Sequence, residues 1–129
     1  MSEKKRILLV DDDADFAASV GEWLKTNGYT VLVATDGASG IEKAKAEKPD
    51  LMILDIMMST EIEGIEVSRK IAEVPELKRM PVLVLTGLRK AKNLPFGLEP
   101  DPSWLPVRTV LEKPIPPEIL LAEIQRLLA

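Results

Sequence analysis

The sequence lacks two residue types that carry much of protein chemistry: its 129 residues include no cysteine and no histidine. Without cysteine the chain has no disulfides, no thiolate zinc sites and no cysteine nucleophiles. Without histidine it has no histidine metal ligands and no Ser-His-Asp triad. Any chemistry therefore depends on carboxylates, hydroxyls, lysines and backbone groups.

The chain also lacks a surplus of basic residues and a long hydrophobic run. Its formal net charge is −4, which argues against direct nucleic-acid binding. Apolar runs such as Ile7–Val10 are too short to insert into a membrane, and the first residues do not form a secretory signal, so we expect a cytoplasmic protein. The length and the 46% apolar content are ordinary for one globular domain over residues 1–129.

Five short apolar runs predict the strands of a parallel sheet. They are rich in Val, Ile and Leu, and the first four do not alternate with polar residues, which is typical of strands buried on both faces. The runs are Ile7–Val10, Val31–Ala34, Leu51–Ile56, Val82–Leu85 and the weaker Thr109–Leu111.

Helical patterns separate most of these runs, which predicts an α/β fold with helices on both faces of the sheet. Asn27-Gly28 stops the first helix, Asp36 caps the second, Ile65–Val74 forms the third, and Pro116 and Pro117 open the last. The residues predicted to face inward are Phe16, Val20, Trp23 and Leu24 in the first helix, Ile41 and Ala44 in the second, and Ile119, Leu120, Ile124, Leu127 and Leu128 in the last.

Polar residues end or directly follow the apolar runs, at the carboxyl ends of the strands, where open α/β sheets bind ligands. Acidic side chains crowded there repel one another and need a cation, and oxygen ligands without His or Cys favour Mg²⁺ or Mn²⁺. A carboxylate in such a site can attack phosphorus, while a lysine and a threonine hydroxyl neutralise the phosphoryl oxygens. The residues concerned are Asp11, Asp12, Asp13, Asp55, Thr86, Glu112 and Lys113.

At these residues the chain resembles the receiver domain of two-component response regulators. Four segments match the family in order and at nearly its spacing: Ile7–Asp13, Pro49–Met58, Pro81–Gly87 and Glu112–Leu120. The resemblance implies a flavodoxin-like, doubly wound sheet of five parallel strands in the order 2-1-3-4-5.

The resemblance also implies a phosphoryl site. Asp55 would be the phosphoacceptor, Thr86 would grip the phosphoryl group, and Lys113 would pair with it. The Lys113–Pro114 bond would be cis. Asp13 matches a position that is usually acidic without being a main metal ligand, so we interpret it as a helix cap.

The resemblance further implies a magnesium site beside the phosphoacceptor. Asp12 would bind Mg²⁺ directly and Asp11 would act mainly through a bound water. Asp55 and the backbone carbonyl of Met57 would be the other ligands.

Four features depart from the family pattern. Ser59 replaces a usual proline, and Val110 occupies a switch position that is usually aromatic. The proline-rich segment Gly87–Arg108 shortens or replaces the fourth helix. Met57 and Leu88 lie where the family tunes dephosphorylation; apolar side chains there cannot orient a water, so we expect a long-lived phosphoryl group.

The leading hypothesis is a stand-alone signalling domain of a two-component phosphorelay, a phosphoprotein and not an enzyme. A histidine kinase or phosphotransfer protein would donate the phosphoryl group, and a downstream protein would read the change. A receiver excised from a longer protein is also compatible with the sequence. The alternatives are a pseudo-receiver that binds partners without phosphorylation, a haloacid-dehalogenase-like phosphatase, disfavoured by Met57, and a flavin carrier, disfavoured by Asp11–Asp13.

Overall fold

The computed structural model describes residues 5–11, 13–56, 67, 69–77, 79–87, 109–113 and 115–128. For residues 56, 76, 86, 87, 110, 112 and 113 it describes the backbone alone. The expectations for Ser59, for the proline-rich segment beyond Gly87 and for the Lys113–Pro114 bond lie outside the described residues.

Five parallel strands form one sheet in the order β2-β1-β3-β4-β5, which confirms the predicted topology. The strands are β1 (Arg6–Val10), β2 (Thr30–Ala34), β3 (Leu51–Ile56), β4 (Val82–Gly87) and β5 (Thr109–Lys113). Two strands extend two residues beyond their apolar runs because the backbone ladder continues through polar side chains. Thr86 and Lys113 therefore lie at the ends of these two strands, as predicted.

Helix α1 (Ala14–Thr26) begins and ends where its sequence predicts. Asp13 is the N-cap, and its side chain accepts a hydrogen bond from the amide of Phe16. At the other end Gly28 has a φ of 97°, and the amide of Tyr29 donates to the carbonyl of Leu24 at 3.1 Å. This is the Schellman arrangement, which requires a residue that tolerates the left-handed conformation.

Helix α2 (Gly37–Glu47) is capped by Asp36, whose side chain accepts from the amide of Ser39 at 2.7 Å. The Ser39 amide, and after it the Ser39 hydroxyl, hold the pKa of the Asp36 carboxyl below its usual value of 3.8. The helix ends at Lys48, a non-glycine residue with a φ of 48°.

Further along, residues 67 and 69–73 are helical, in agreement with the predicted third helix, and Pro75–Leu77 form a short 3₁₀ turn. The last helix (Pro117–Leu128) buries Leu120 and Ile124. The prediction that Ile119 is buried is wrong, because its side chain is 53% exposed. Ile119 is five positions from Ile124, about 140° around the helix, so it lies off the inner face.

Two apolar clusters pack against opposite faces of the sheet, which confirms the doubly wound architecture. One joins the sheet to α2 and to the helical residues Val67 and Ile71; the other joins it to α1 and the last helix. Strand residues alternate between the two clusters, as the period of two requires. Among the described residues, no helix has both the length and the apolar character needed to cross a membrane.

Candidate functional site

Two buried aspartates mark the carboxyl end of the sheet. In the described part of the chain, Asp11 and Asp55 are the polar side chains that are buried, with exposed fractions of 0% and 6%. Burying a carboxylate is costly unless other groups stabilise its charge. Two such residues at one end of a sheet therefore indicate a site with a purpose beyond packing.

The strand register brings these two aspartates together. Val10 of β1 is the partner of Leu54 of β3, so the residues that follow them, Asp11 and Asp55, lie at the same level of adjacent strands. Neighbouring strands are about 4.8 Å apart. The amide of Asp11 donates to the carbonyl of Ala34 at 3.0 Å, which holds this residue against the end of β2.

Asp13 connects this acidic pair to α1. Its amide donates to Oδ1 of Asp11 at 2.9 Å, and its own Oδ1 accepts from the amide of Phe16 at 3.1 Å. The predicted role of Asp13 as a helix cap is therefore confirmed. Sequence reasoning missed its contact with Asp11; the available signal was an aspartate two residues before an N-cap, the spacing of an Asx turn.

The backbone of Thr86 and Lys113 lies at the same end of the sheet. Thr86 of β4 is the partner of Ile56, one residue beyond Asp55, and Lys113 of β5 is the partner of Gly87. The structure thus brings the positions of Asp11, Asp55, Thr86 and Lys113 to one end of the sheet. The side chains of Thr86 and Lys113, and all of Asp12 and Met57, lie outside what the structure describes.

The donor set of this site suits a hard divalent cation. Asp11 and Asp55 supply carboxylate oxygens, the ligands that Mg²⁺ prefers, and no soft ligand occurs anywhere in the chain apart from methionine. Within the described residues no three acidic, histidine or cysteine side chains converge on one point. The third carboxylate that the sequence predicts is Asp12, which is not among those residues.

Comparison with known proteins identifies the family to which this chain belongs. The model of the response regulator receiver domain matches residues 7–125. Response regulator MprA of Mycobacterium ulcerans (strain Agy99) is 36% identical over 123 residues, which cover 95% of this chain and 50% of MprA. The chain belongs to the response regulator receiver domain family, and it spans about half the length of the curated relatives it matches.

Solved structures show the same fold. A putative response regulator from Chloroflexus aurantiacus J-10-fl aligns with a TM-score of 0.82 at 25% identity, covering 98% of each chain. The BeF3-activated N-terminal receiver domain of Klebsiella pneumoniae RstA aligns with a TM-score of 0.75 at 26% identity, covering 96% of this chain and 98% of that one.

Proposed function

We propose that this chain is a phospho-acceptor in two-component signalling and that Asp55 receives the phosphoryl group. The observation that carries the proposal is the buried carboxylate of Asp55 at the carboxyl end of a central strand, level with the fully buried Asp11. Family membership supports it, and so does the similarity to a receiver domain whose structure was obtained in a BeF3-activated state.

The reaction that this site suits is phosphoryl transfer from a phosphorylated nitrogen of a histidine kinase or phosphotransfer protein. A carboxylate oxygen of Asp55 attacks phosphorus, an O–P bond forms, and the P–N bond breaks. The bonding electrons return to the imidazole nitrogen of the donor. The product is an aspartyl phosphate on this chain, and the exchange takes place in the cytoplasm.

Other residues of the chain prepare the site for this transfer. Asp11, Asp12, Asp55 and the carbonyl of Met57 would hold Mg²⁺, which when bound offsets the negative charge of the carboxylates and phosphoryl oxygens. Lys113 pairs with the phosphoryl group at the end of β5. Thr86 donates its hydroxyl to a phosphoryl oxygen, and this new contact shifts the protein between two states that differ in affinity for a downstream protein.

We also propose that the chain does not turn over phosphate esters as an enzyme. A phosphatase that forms an aspartyl phosphate needs a second acid to protonate the leaving group and activate water. The residue two positions after Asp55 is Met57, which can do neither.

The test is mass spectrometry of the intact chain after incubation with acetyl phosphate and Mg²⁺. We expect the wild type to gain one phosphoryl group and Asp55→Asn to gain none. Asp15→Asn is the matched control, because Asp15 is an exposed aspartate in the first turn of α1, at the same end of the sheet, and this variant should behave as the wild type. A wild type that binds Mg²⁺ but gains no phosphoryl group would favour the pseudo-receiver alternative.

A further inference from the structure

We infer that Asp13 is a positioning residue for the metal site: by capping α1 it fixes the backbone amide that holds the carboxylate of Asp11. The inference rests on the proposed function, because it concerns the affinity of that site for Mg²⁺. It assigns Asp13 no direct contact with the metal or the phosphoryl group.

Two consecutive hydrogen bonds connect the helix to the site. The amide of Phe16 donates to Oδ1 of Asp13 at 3.1 Å, and the amide of Asp13 donates to Oδ1 of Asp11 at 2.9 Å. The carbonyl of Asp13 also accepts the amide of Ala17 at 2.9 Å, which is the first backbone bond of α1. Asp13 is therefore held on both its side chain and its backbone.

Asp11 and Asp13 differ in burial, and this difference allows the effect of their hydrogen bond on the metal site to be separated from packing. Asp13 is exposed, so replacing it removes little packing, whereas Asp11 is fully buried. An amide that points steadily at a buried carboxylate favours one orientation of that carboxylate before the metal arrives. Groups that orient a metal ligand in this way raise affinity for the metal.

A cap acts on this amide through the backbone. With the cap in place Asp13 keeps an extended conformation, with φ −92° and ψ 99°, at the point where the chain turns into the helix. Without a side-chain acceptor the first turn frays, because its amide donors lose a partner. The Asp13 amide then samples more directions, and Asp11 loses part of its preorganisation.

The competing explanation is that Asp13 attracts Mg²⁺ through its charge alone. Asp13→Ala and Asp13→Ser remove the same charge, but serine is a good N-cap and alanine is a poor one. The chain also offers a matched helix: Asp36 caps α2 in the same way, accepting the amide of Ser39 three residues later. Asp36→Ala and Asp36→Ser therefore repeat the capping change on a different helix.

The experiment measures the Kd for Mg²⁺ of the full chain by NMR amide shifts, together with hydrogen exchange of the Phe16 amide in Mg²⁺-free buffer. We expect Asp13→Ala to bind Mg²⁺ about fivefold more weakly than Asp13→Ser. Its Phe16 amide should also exchange faster than in Asp13→Ser. The two Asp36 variants should bind Mg²⁺ equally well.

Each other outcome overturns the inference in a distinguishable way. Equal Kd values for the two Asp13 variants leave charge as the only effect. A loss in Asp36→Ala as large as in Asp13→Ala assigns the effect to general stability. A wild type that does not bind Mg²⁺ overturns the proposed function as well. Asp13→Gln, which is also neutral and not a capping residue, replaces Asp13→Ala if that variant does not fold.

Discussion

At the scale of single residues, Asp11 and Asp55 place two like charges in a buried setting at adjacent strand positions. Two unit charges about 5 Å apart repel by roughly 3 kcal/mol at an effective dielectric constant of about 20. The site therefore opposes folding in the absence of a cation, and function rather than stability explains why both residues are acidic.

We predict that Asp55→Asn is more stable than the wild type in Mg²⁺-free buffer. Removing one charge of the pair should raise the free energy of unfolding by on the order of 1–3 kcal/mol. Urea unfolding in the presence of EDTA measures this difference. Asp15→Asn, the exposed control, should change it by less than about 0.5 kcal/mol. An Asp55→Asn variant less stable than the wild type would contradict the proposed repulsion.

The backbone of Lys48 is also unfavourable for stability, for a steric reason. It is the C-cap of α2 and has a φ of 48°. Among the residues that the structure describes, it is the one non-glycine residue with a positive φ. We predict that Lys48→Gly stabilises the chain by about 1 kcal/mol, because glycine adopts this conformation without a steric penalty. Lys45→Gly, inside the same helix, should destabilise it by about 1 kcal/mol. In thermal unfolding, the melting temperature should rise for Lys48→Gly and fall for Lys45→Gly.

At the scale of elements, α1 and α2 approach the sheet differently at their buried glycines. A Cβ atom added at Gly21 of α1 would lie 3.6 Å from Val31, an ordinary contact. A Cβ atom added at Gly40 of α2 would lie 2.9 Å from Val10, the residue before Asp11. Helix α2 therefore packs closely against the strand that presents the acidic site.

Because of this difference, a glycine-to-alanine substitution should affect stability differently in the two helices. Gly21→Ala should stabilise the chain by about 0.5–1 kcal/mol through helix propensity. At Gly40 the same gain is offset by overpacking, so we expect Gly40→Ala to be at least about 1 kcal/mol less favourable than Gly21→Ala. Denaturant midpoints give both values. Equal stabilisation by the two variants would show that α2 or Val10 shifts at little cost to accommodate the added methyl group.

The last helix provides a second matched pair. Ile119 is 53% exposed and Ile124 is fully buried. We predict that Ile124→Ala costs about 2–4 kcal/mol, whereas Ile119→Ala costs less than about 1 kcal/mol. Calorimetric unfolding compares them directly. Similar losses for the two variants would mean that the side chain of Ile119 is covered in solution.

Ile119 also shows what the sequence pattern of one helix can predict. The apolar residues of the last helix identify it as amphipathic, but they occupy more of its circumference than the sheet covers. Which of them faces inward depends on the rotation of the helix about its axis, and packing against the strands sets that rotation. Caps were predictable because they are local: Asp13, Asp36 and Asn27-Gly28 act on amides and carbonyls within four residues.

At the scale of the whole molecule, the topology was predictable and part of the site was not. Continuous apolar runs and the alternation with helices lead to a parallel sheet, and the family resemblance adds the strand order. The apolar runs stop two residues before the ends of β4 and β5, because Thr86, Gly87, Glu112 and Lys113 continue the ladder without adding apolar surface. The spacing of Asp11 and Asp13 allows an Asx turn, but the spacing alone does not establish that the amide of Asp13 donates to Asp11.

Binding of Mg²⁺ should also stabilise the folded chain as a whole. A cation that binds only the folded state stabilises it by RT ln(1 + [L]/Kd), about 2.7 kcal/mol at one hundred times Kd. We predict that Mg²⁺ raises the melting temperature of the wild type and raises that of Asp55→Asn much less, since that variant would lack one of the proposed carboxylate ligands. Equal shifts in the two proteins would place any bound Mg²⁺ elsewhere.

Locating the phosphoryl group on the chain tests directly whether Asp55 is the phosphoacceptor. After incubation with acetyl phosphate and Mg²⁺, borohydride reduces an aspartyl phosphate to homoserine, and peptide mass spectrometry finds the reduced residue. We expect homoserine at position 55 alone. Homoserine at position 11, at another acidic residue, or at no position while Mg²⁺ is bound would contradict it.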